Sequence, residues 1–189
     1  MRDQTVPLAR GSAARATLDY IREEHGEAAL ARVLERVEPA TRAEITGVET
    51  TAYLPYSQVL ALWDAADGVL APIAPDWVER AGGYAIGSLG QQLYGGLLRK
   101  SSPVEFITQS VSLFQLYYSQ GNVVPVEVED GRAVLRLVGF DDHGALFCRR
   151  QTGGLQRATE LAGGSGVSVR HVRCIHEGDA FCEWEIRWA

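Results

Sequence analysis

Residues 102–138 read SPVEFITQSVSLFQLYYSQGNVVPVEVEDGRAVLRLV and contain the change of hydrophobic period that decides the fold class. The first half places apolar residues three and four positions apart, which is typical of an amphipathic helix, behind a serine–proline–glutamate capping box. After the helix the period changes to two: Val124, Val126 and Val128 alternate with Pro125, Glu127 and Glu129, and the dipeptide Asp130-Gly131 favours a tight hairpin turn. We therefore predict a helix over residues 102–120, followed by an antiparallel β-hairpin.

Upstream of this segment the sequence predicts short helices. Apolar stripes that end at Gly26, Pro39, Gly47 and Gly68 indicate four helices, each too short to be stable without packing against a larger unit. The region 76–100 is also helical in pattern, but it is rich in glycine. We attribute these glycines to close helix packing or to a helix break, because neither a preceding strand nor a nucleotide-binding glycine motif accompanies them.

Downstream of the hairpin the pattern predicts further strands and one inserted helix. Residues 145–148 are consistent with a strand, and Thr152 is expected to open a short helix. Residues 167–174 and 181–188 alternate apolar and polar positions and are predicted to be the last two strands. Helices first, and then an antiparallel sheet with packed helices, define an α+β fold.

The length of 189 residues suits one domain, or one domain with a helical extension. We divide the chain into a helical N-terminal extension, residues 1–78, and a domain of residues 79–189, packed together as one compact unit. A formal net charge of -6 without any basic run excludes a nucleic-acid-binding groove. No apolar run approaches the ~20 residues of a membrane span, and the N-terminus lacks a signal-peptide core, so we expect a cytoplasmic protein.

Three cysteines and one histidine in the C-terminal part form a candidate metal site. An odd number of cysteines without a secretion signal argues against a disulfide framework. Thiolate and imidazole ligands together suit a tetrahedral zinc ion. The candidate ligands are Cys148, His171, Cys174 and Cys182. Because His171 and Cys174 point to opposite faces of an ideal strand, the site requires a bulge between them.

Two alternatives stay open for these residues. Buried free cysteines often act as small hydrophobic side chains and bind no metal. His176 competes with His171 as the imidazole ligand, although a histidine in a turn is more commonly exposed. We expect His143, which follows two aspartates, to be exposed as well.

The C-terminal half of the chain, residues 83–188, resembles the 4-vinyl reductase domain, whose fold is shared with subunits of the TRAPP vesicle-tethering complex. The resemblance rests on Cys148, on Gly153-Gly154 and on the ending Cys174-x7-Cys182-x-Trp184-x-Ile186-x-Trp188. In the phenol-sensing bacterial activators that carry this domain, three cysteines and one glutamate hold zinc. The glutamate position corresponds to His171, so the resemblance implies one structural zinc ion on the four candidate ligands. The whole chain is also similar to a myxobacterial paralogous family, which implies no function.

The same resemblance implies a pocket for a small molecule. The phenol sensors hold the phenol hydroxyl with a histidine and a tryptophan, and the chain has neither residue type between Trp77 and His143. Phenol recognition is therefore not implied, and we expect an apolar ligand. The aromatic residues expected to enclose it are Tyr94, Phe106, Phe114, Tyr117 and Tyr118. The alternative is that these side chains fill an ordinary core.

These observations predict a non-catalytic sensory or signalling module that binds an apolar small molecule, carries a structural zinc ion and contacts a downstream protein partner. An enzyme is not expected, because four protein ligands leave zinc no open position and no recognisable catalytic arrangement is present. The alternative is a TRAPP-like scaffold for protein interaction and dimerisation without a small ligand. The glycine-rich segment 83–96 allows close backbone approach, and the helix over residues 102–120 is apolar on more than one side. We therefore expect a homodimer, in which part of this surface is buried by a second chain, or else burial of that part by the N-terminal helices.

Overall fold

The computed structural model of the chain describes residues 6–98, 100–109, 111–140 and 143–189. In the N-terminal part, helices form at the predicted places, and Gly26, with a φ of 82°, separates the first two. The sequence pattern does not indicate the two short antiparallel strands that pair here. The elements are β1 (Leu8–Arg10), α1 (Gly11–His25), α2 (Glu27–Glu35), α3 (Pro39–Gly47), β2 (Tyr53–Pro55) and α4 (Tyr56–Leu70).

The middle of the chain is helical, as the sequence predicts. The predicted helix over residues 102–120 is helical over Pro103–Gln109 and over Val111–Tyr117, and Ser110 lies outside the described residues. One half of the capping box forms, since the backbone N–H of Glu105 donates to Ser102 Oγ at 3.2 Å, whereas the Glu105 carboxylate accepts from the backbone N–H of Ser101 at 3.0 Å. The elements are α5 (Trp77–Ala85), a π-helical turn (Ile86–Gly90), α6 (Gln91–Leu98), α7 (Pro103–Gln109) and α8 (Val111–Tyr117).

The C-terminal part forms a four-stranded antiparallel sheet in the order β3-β4-β6-β5. The predicted hairpin joins β3 to β4, and Gly131 in its turn has a φ of 80°. Trp184 and Ile186 are fully buried, so β6 presents the predicted face to the core. The α+β class is therefore confirmed. The elements are β3 (Asn122–Glu129), β4 (Arg132–Val138), α9 (Ala145–Leu161), β5 (Ser168–Arg173), a 3₁₀ turn (Ile175–Glu177) and β6 (Glu183–Arg187).

Helix α9 replaces the strand that was predicted at residues 145–148. It spans 17 residues and begins directly after Gly144, whose φ of 77° turns the chain into the helix. Phe147, Cys148 and Leu155 all face the core, which fits a helical period better than a strand period. Four residues from 145 to 148 were too short a window to distinguish the two patterns.

Close packing of α5 against α9 depends on two glycines. A methyl group added at Gly82 would overlap the carbonyl oxygen of Arg150, and one added at Gly153 would overlap the carbonyl oxygen of Glu79. The two helix backbones therefore approach each other more closely than any side chain allows. This contact confirms close helix packing as a reason for glycine in this region.

Most of the described apolar side chains of α7 and α8 are buried inside the chain. Phe106 and Phe114 are 2% and 6% exposed. Strand β1 lies beside the end of α8, where Ala9 forms a bridge with Tyr118 and the Ser119 N–H donates to the Leu8 carbonyl. The structure therefore does not support the expected homodimer. The helical surface that a second chain was expected to bury is already largely covered within the chain. Among the described residues, no helix is long and apolar enough to cross a membrane.

Candidate functional site

A mostly apolar cavity of about 80 Å³ lies between the N-terminal helix α1 and helices α5, α7, α8 and α9. The close approach of α5 and α9 forms one side of it, and the aromatic face of α7 and α8 forms another. Its lining is Ala13, Gly82, Ala85, Ile86, Phe106, Leu113, Phe114, Tyr117, Tyr118, Val123, Arg150, Gln151, Gly154, Leu155 and Ala158. The cavity is therefore built from parts of the chain that are distant in sequence.

Four of the five aromatic residues predicted to enclose a ligand line this cavity, namely Phe106, Phe114, Tyr117 and Tyr118. Tyr94 is not part of the lining. Its ring packs edge-on against Tyr117, with the ring centroids 5.3 Å apart. The structure thus brings the predicted residues together, and their role in ligand binding stays a prediction.

Arg150 supplies the one full charge among the described residues that line the cavity. Arg150 is only 7% exposed, and both of its terminal nitrogens, Nη1 and Nη2, lack a hydrogen-bond partner among the described residues. The guanidinium carbon lies 5.0 Å from the centre of the Trp63 ring. Burial lowers the pKa of Arg150, but an arginine stays protonated in proteins. Among the described residues, the cavity therefore contains a buried cation without an anion.

Sequence reasoning missed Arg150. The signal was an arginine on the apolar stripe of α9, one turn after Phe147 and one turn before Gly154. Because arginine is usually paired or exposed, its position in the sequence alone does not show that it is buried.

Two tyrosines add hydroxyl groups to the same cavity. The Tyr117 hydroxyl is buried and has no hydrogen-bond partner among the described residues. Burial raises the pKa of Tyr117, and it raises the pKa of Tyr118 to about 12. Both phenols are therefore neutral at pH 7, and each can donate a hydrogen bond to an acceptor. The lining has no carboxylate, histidine or cysteine that could act as a general base among the described residues.

The predicted metal ligands also come together, in a cluster separate from the cavity lining. The ligand atoms of Cys148, His171, Cys174 and Cys182 all lie within 4.8 Å of one another. The register of β5 shifts between His171 and Arg173, so a strand irregularity is present where the site requires one. All three cysteines are buried, and the sulfurs of Cys148 and Cys182 are 3.7 Å apart.

His143 joins this cluster against expectation. It is 1% exposed, whereas the sequence predicts an exposed turn residue. Its Nε2 lies 3.1 Å from the sulfur of Cys148 and 3.5 Å from that of Cys182, and its Nδ1 contacts the Phe140 carbonyl. The prediction was wrong because the chain turns inward here to begin α9. The only sequence signal was the short separation between His143 and Cys148.

The other two histidines of the cluster have different surroundings. The ring of His171 stacks on Trp184 with centroids 4.7 Å apart, and its buried Nε2 has no hydrogen-bond partner among the described residues. Burial lowers the pKa of His171 and raises that of the Cys148 thiol. His176 is exposed and lies 4.9 Å from His143, ring centre to ring centre. A second grouping, His143, Cys148 and His176, therefore overlaps the first.

No family model and no curated protein matches the sequence. Solved structures do match the fold. The Fe(II) unliganded H-NOX protein from K. algicida superimposes with a TM-score of 0.71 and 12% identity, over 95% of this chain and 96% of that chain. The chain has the H-NOX fold. The H-NOX protein from S. oneidensis in the Fe(II)NO ligation state gives a TM-score of 0.72 and 14% identity, over 95% and 99%. An oxygen-binding H-NOX domain related to soluble guanylate cyclases gives 0.67 and 11%, over 95% and 94%.

The H-NOX likeness corrects the resemblance to the 4-vinyl reductase and TRAPP family, which was wrong. That resemblance covered only residues 83–188 and depended on buried cysteines and on the apolar face of β6. The structural match covers 95% of the chain, including its N-terminal helices. The expected structural zinc is overturned with it, because the metal and cofactor named for the structural neighbours are Fe(II) and haem.

The cavity of this chain does not fit haem. Haem iron is held in proteins by histidine, cysteine, methionine or tyrosine. Among the described residues, none of the histidines or cysteines lines the cavity, which leaves only Tyr117 and Tyr118. The cavity of about 80 Å³ is also smaller than the ~150 Å³ that encloses benzene in an engineered protein, and a porphyrin is several times larger than benzene. We therefore derive no function through haem.

Proposed function

We propose that the chain is a non-catalytic sensory module that binds a small molecule in the cavity between α1, α5, α7, α8 and α9. The observation that carries the proposal is the buried guanidinium of Arg150, which has no hydrogen-bond partner among the described residues and lies in a mostly apolar lining. An unpaired buried polar group costs ~1–3 kcal/mol, and a charged one more. A ligand that pairs with Arg150 would offset this cost. The H-NOX likeness supports the proposal, since one neighbour is described as an oxygen-binding domain.

The chemistry of the cavity and of the cysteine and histidine cluster favours ligand binding over catalysis. The cavity offers a cation and neutral phenols, but no group that takes up a proton at neutral pH. The buried thiols Cys148 and Cys182 have raised pKa values, mainly because of desolvation, and a thiol is a weak nucleophile compared with a thiolate. These features support a module that passes its signal to a downstream protein partner.

Thermal unfolding with a library of small apolar and amphiphilic compounds tests the proposal. A ligand that binds only the folded chain stabilises it by RT ln(1 + [L]/Kd), or ~2.7 kcal/mol at 100 times Kd. Ala158→Leu places a larger side chain into the cavity and should abolish the gain. Gln156→Leu, on the exposed side of the same helix, is the matched control and should leave it unchanged. If no compound raises the unfolding temperature, the proposal fails.

The structure supports the alternative function, a scaffold for protein interaction without a small ligand, less well than it supports ligand binding. It needs an apolar face that is free for another chain, and the apolar residues of α7 and α8 are instead buried against β1 and the sheet. Among the described residues, the large apolar side chains that are exposed lie on three strands of the sheet and on separate segments elsewhere, and none of them lies on α7 or α8. They are Val6, Tyr53, Ile73, Val126, Val138 and Val172.

A further inference from the structure

The polar groups of the cavity define the chemistry of a ligand more narrowly than its apolar walls do. Arg150 presents hydrogen-bond donors and no acceptor, and its Nη1 and Nη2 are both unpaired. The Tyr117 hydroxyl, also unpaired and buried, can donate a further hydrogen bond. Every unsatisfied group is therefore a donor or can act as one. A ligand that satisfies them must bring acceptors.

A carboxylate is the acceptor that matches this arrangement. The planar fork of a guanidinium binds the two oxygens of a carboxylate in parallel, and such charge-assisted pairs are about twice as strong as neutral hydrogen bonds. The Trp63 ring near the Arg150 guanidinium is uncharged and leaves the cation without an anion. Within the described lining, no aspartate or glutamate provides one.

Apart from the amide of Gln151, the remaining walls are apolar and limit the rest of the ligand to a short apolar body. Ala85, Ile86, Phe106, Phe114 and Leu155 offer no hydrogen bond from their side chains. A volume of about 80 Å³ is roughly half of the ~150 Å³ that encloses benzene, so the ligand has only a few carbons. An amino acid is disfavoured because the described lining has no carboxylate for its ammonium group. A dicarboxylate or phosphate is disfavoured because one arginine cannot neutralise it.

We infer that the cavity binds a short-chain aliphatic monocarboxylate, with its carboxylate paired to Arg150 and hydrogen-bonded by Tyr117, and with its alkyl chain against α5, α7 and α9. This inference rests on the proposed function, because it names the class of ligand for the same cavity. It also explains why an arginine is kept on the apolar side of α9. Arg149, the next residue, has a partner of its own in Glu79 at 2.7 Å.

Isothermal calorimetry and thermal unfolding with isobutyrate, isobutyramide and isobutanol test the inference. The three probes are similar in size and differ in the polar head. Isobutyrate should bind, and the two neutral probes should bind at least about tenfold more weakly, since they cannot form the ion pair. Succinate, a dianion, should not bind measurably.

Variants then identify the partner of the carboxylate. Arg150→Gln should weaken isobutyrate binding roughly 100-fold, as expected for loss of one member of a buried charge pair. Arg149→Gln is the matched control on the same helix and should bind isobutyrate as the unchanged chain does. If Arg150→Gln does not fold, Tyr117→Phe removes only the hydroxyl and should weaken isobutyrate binding by about tenfold without weakening isobutanol binding.

The outcomes separate the inference from the proposed function. If isobutanol or larger neutral compounds bind in the cavity and isobutyrate does not, the monocarboxylate inference is overturned and the sensory module stands. If isobutyrate binds Arg150→Gln as tightly as the unchanged chain, the inference is likewise overturned. If nothing binds and Ala158→Leu changes nothing, both are overturned.

Discussion

At the scale of single residues, the first two turns of α9 contribute side chains to two different places, the cysteine and histidine cluster and the cavity. Cys148 faces the sulfur and imidazole cluster, whereas Arg150 faces the cavity. Residues two positions apart on a helix lie on nearly opposite sides, so one helix can position both. The residue types of the first cluster were predictable, because cysteine and histidine close together in sequence are uncommon. The burial of Arg150 and His143 was not, because it depends on which other segments pack over them.

We propose that Cys148, His171, Cys174 and Cys182 act together as ligands for a thiophilic transition-metal ion. The backbone N–H of Ile175 donates towards the sulfur of Cys182 at 3.5 Å, and the carboxylate of Asp179 accepts from the N–H of Cys174 at 2.8 Å. These contacts hold the loop that carries two of the ligands. Soft and borderline ions select such thiolate and imidazole sets.

Titration of the reduced protein with Co²⁺ tests this ligand set. Thiolate coordination should produce charge-transfer bands in the near ultraviolet, which Cys182→Ser should reduce and His171→Ala should shift. His176→Ala distinguishes the overlapping grouping: it should leave the spectrum unchanged if His171 is the imidazole ligand, and loss of the bands would assign that role to His176. If the unchanged chain shows no such bands, the four residues do not bind the ion together and the proposal is wrong. Loss of binding in His143→Ala with full binding in His171→Ala would assign the imidazole to His143 instead.

At the scale of elements, the contact between α5 and α9 decides the shape of the cavity. The contact depends on glycine on both helices, Gly82 and Gly153, with a backbone carbonyl directly opposite each. A backbone, unlike a side chain, cannot change its rotamer to make room. The spacing of these helices is therefore sensitive to a single methyl group.

Gly153→Ala should destabilise the chain, because the added methyl group would force α5 and α9 apart. Overpacking of this kind typically costs ~1–3 kcal/mol. Urea unfolding should show a lower midpoint with an unchanged slope. Gly95→Ala is the matched control, because the space around Gly95 is open and alanine favours a helix, so its midpoint should stay or rise. An unchanged midpoint for Gly153→Ala would show that the helices can move apart freely.

At the scale of the whole molecule, the N-terminal helices and the rest of the chain share one hydrophobic core. The core cluster extends from Ala9 to Ile186 without division. Tyr20 on α1 packs edge-on against Tyr84 on α5, with ring centroids 5.7 Å apart. Residue Ala13 of α1 also lines the cavity. We therefore propose that the predicted units, residues 1–78 and 79–189, fold together and not separately.

A chain truncated to residues 79–189 should fail to unfold cooperatively, because it loses α1 and the partners of Tyr84, Tyr118 and the cavity wall. Differential scanning calorimetry of the full chain should show one transition whose calorimetric and van't Hoff enthalpies agree. Two resolved transitions, or a truncated chain with a cooperative transition of its own, would show that residues 79–189 form an independent domain.

The sequence by itself determined the elements whose pattern is local. The α+β class, the capping box at Ser102, the hairpin around Gly131 and the buried face of β6 all follow from periods and turn residues within short windows. It also identified four aromatic residues that the structure places around one cavity. Over residues 145–148 the same method was wrong, because four residues are too few to distinguish a helix from a strand.

Only the tertiary structure decided the family likeness and the site. The cavity is formed by α1, α5, α7, α8 and α9, so its volume and its lining depend on how segments distant in the chain pack. The burial of Arg150 and the place of His143 among the cysteines depend on the same packing. A charged or polar side chain has the same identity in the sequence whether it is exposed or enclosed. What determines its chemistry is the desolvation and the partners that the fold imposes on it.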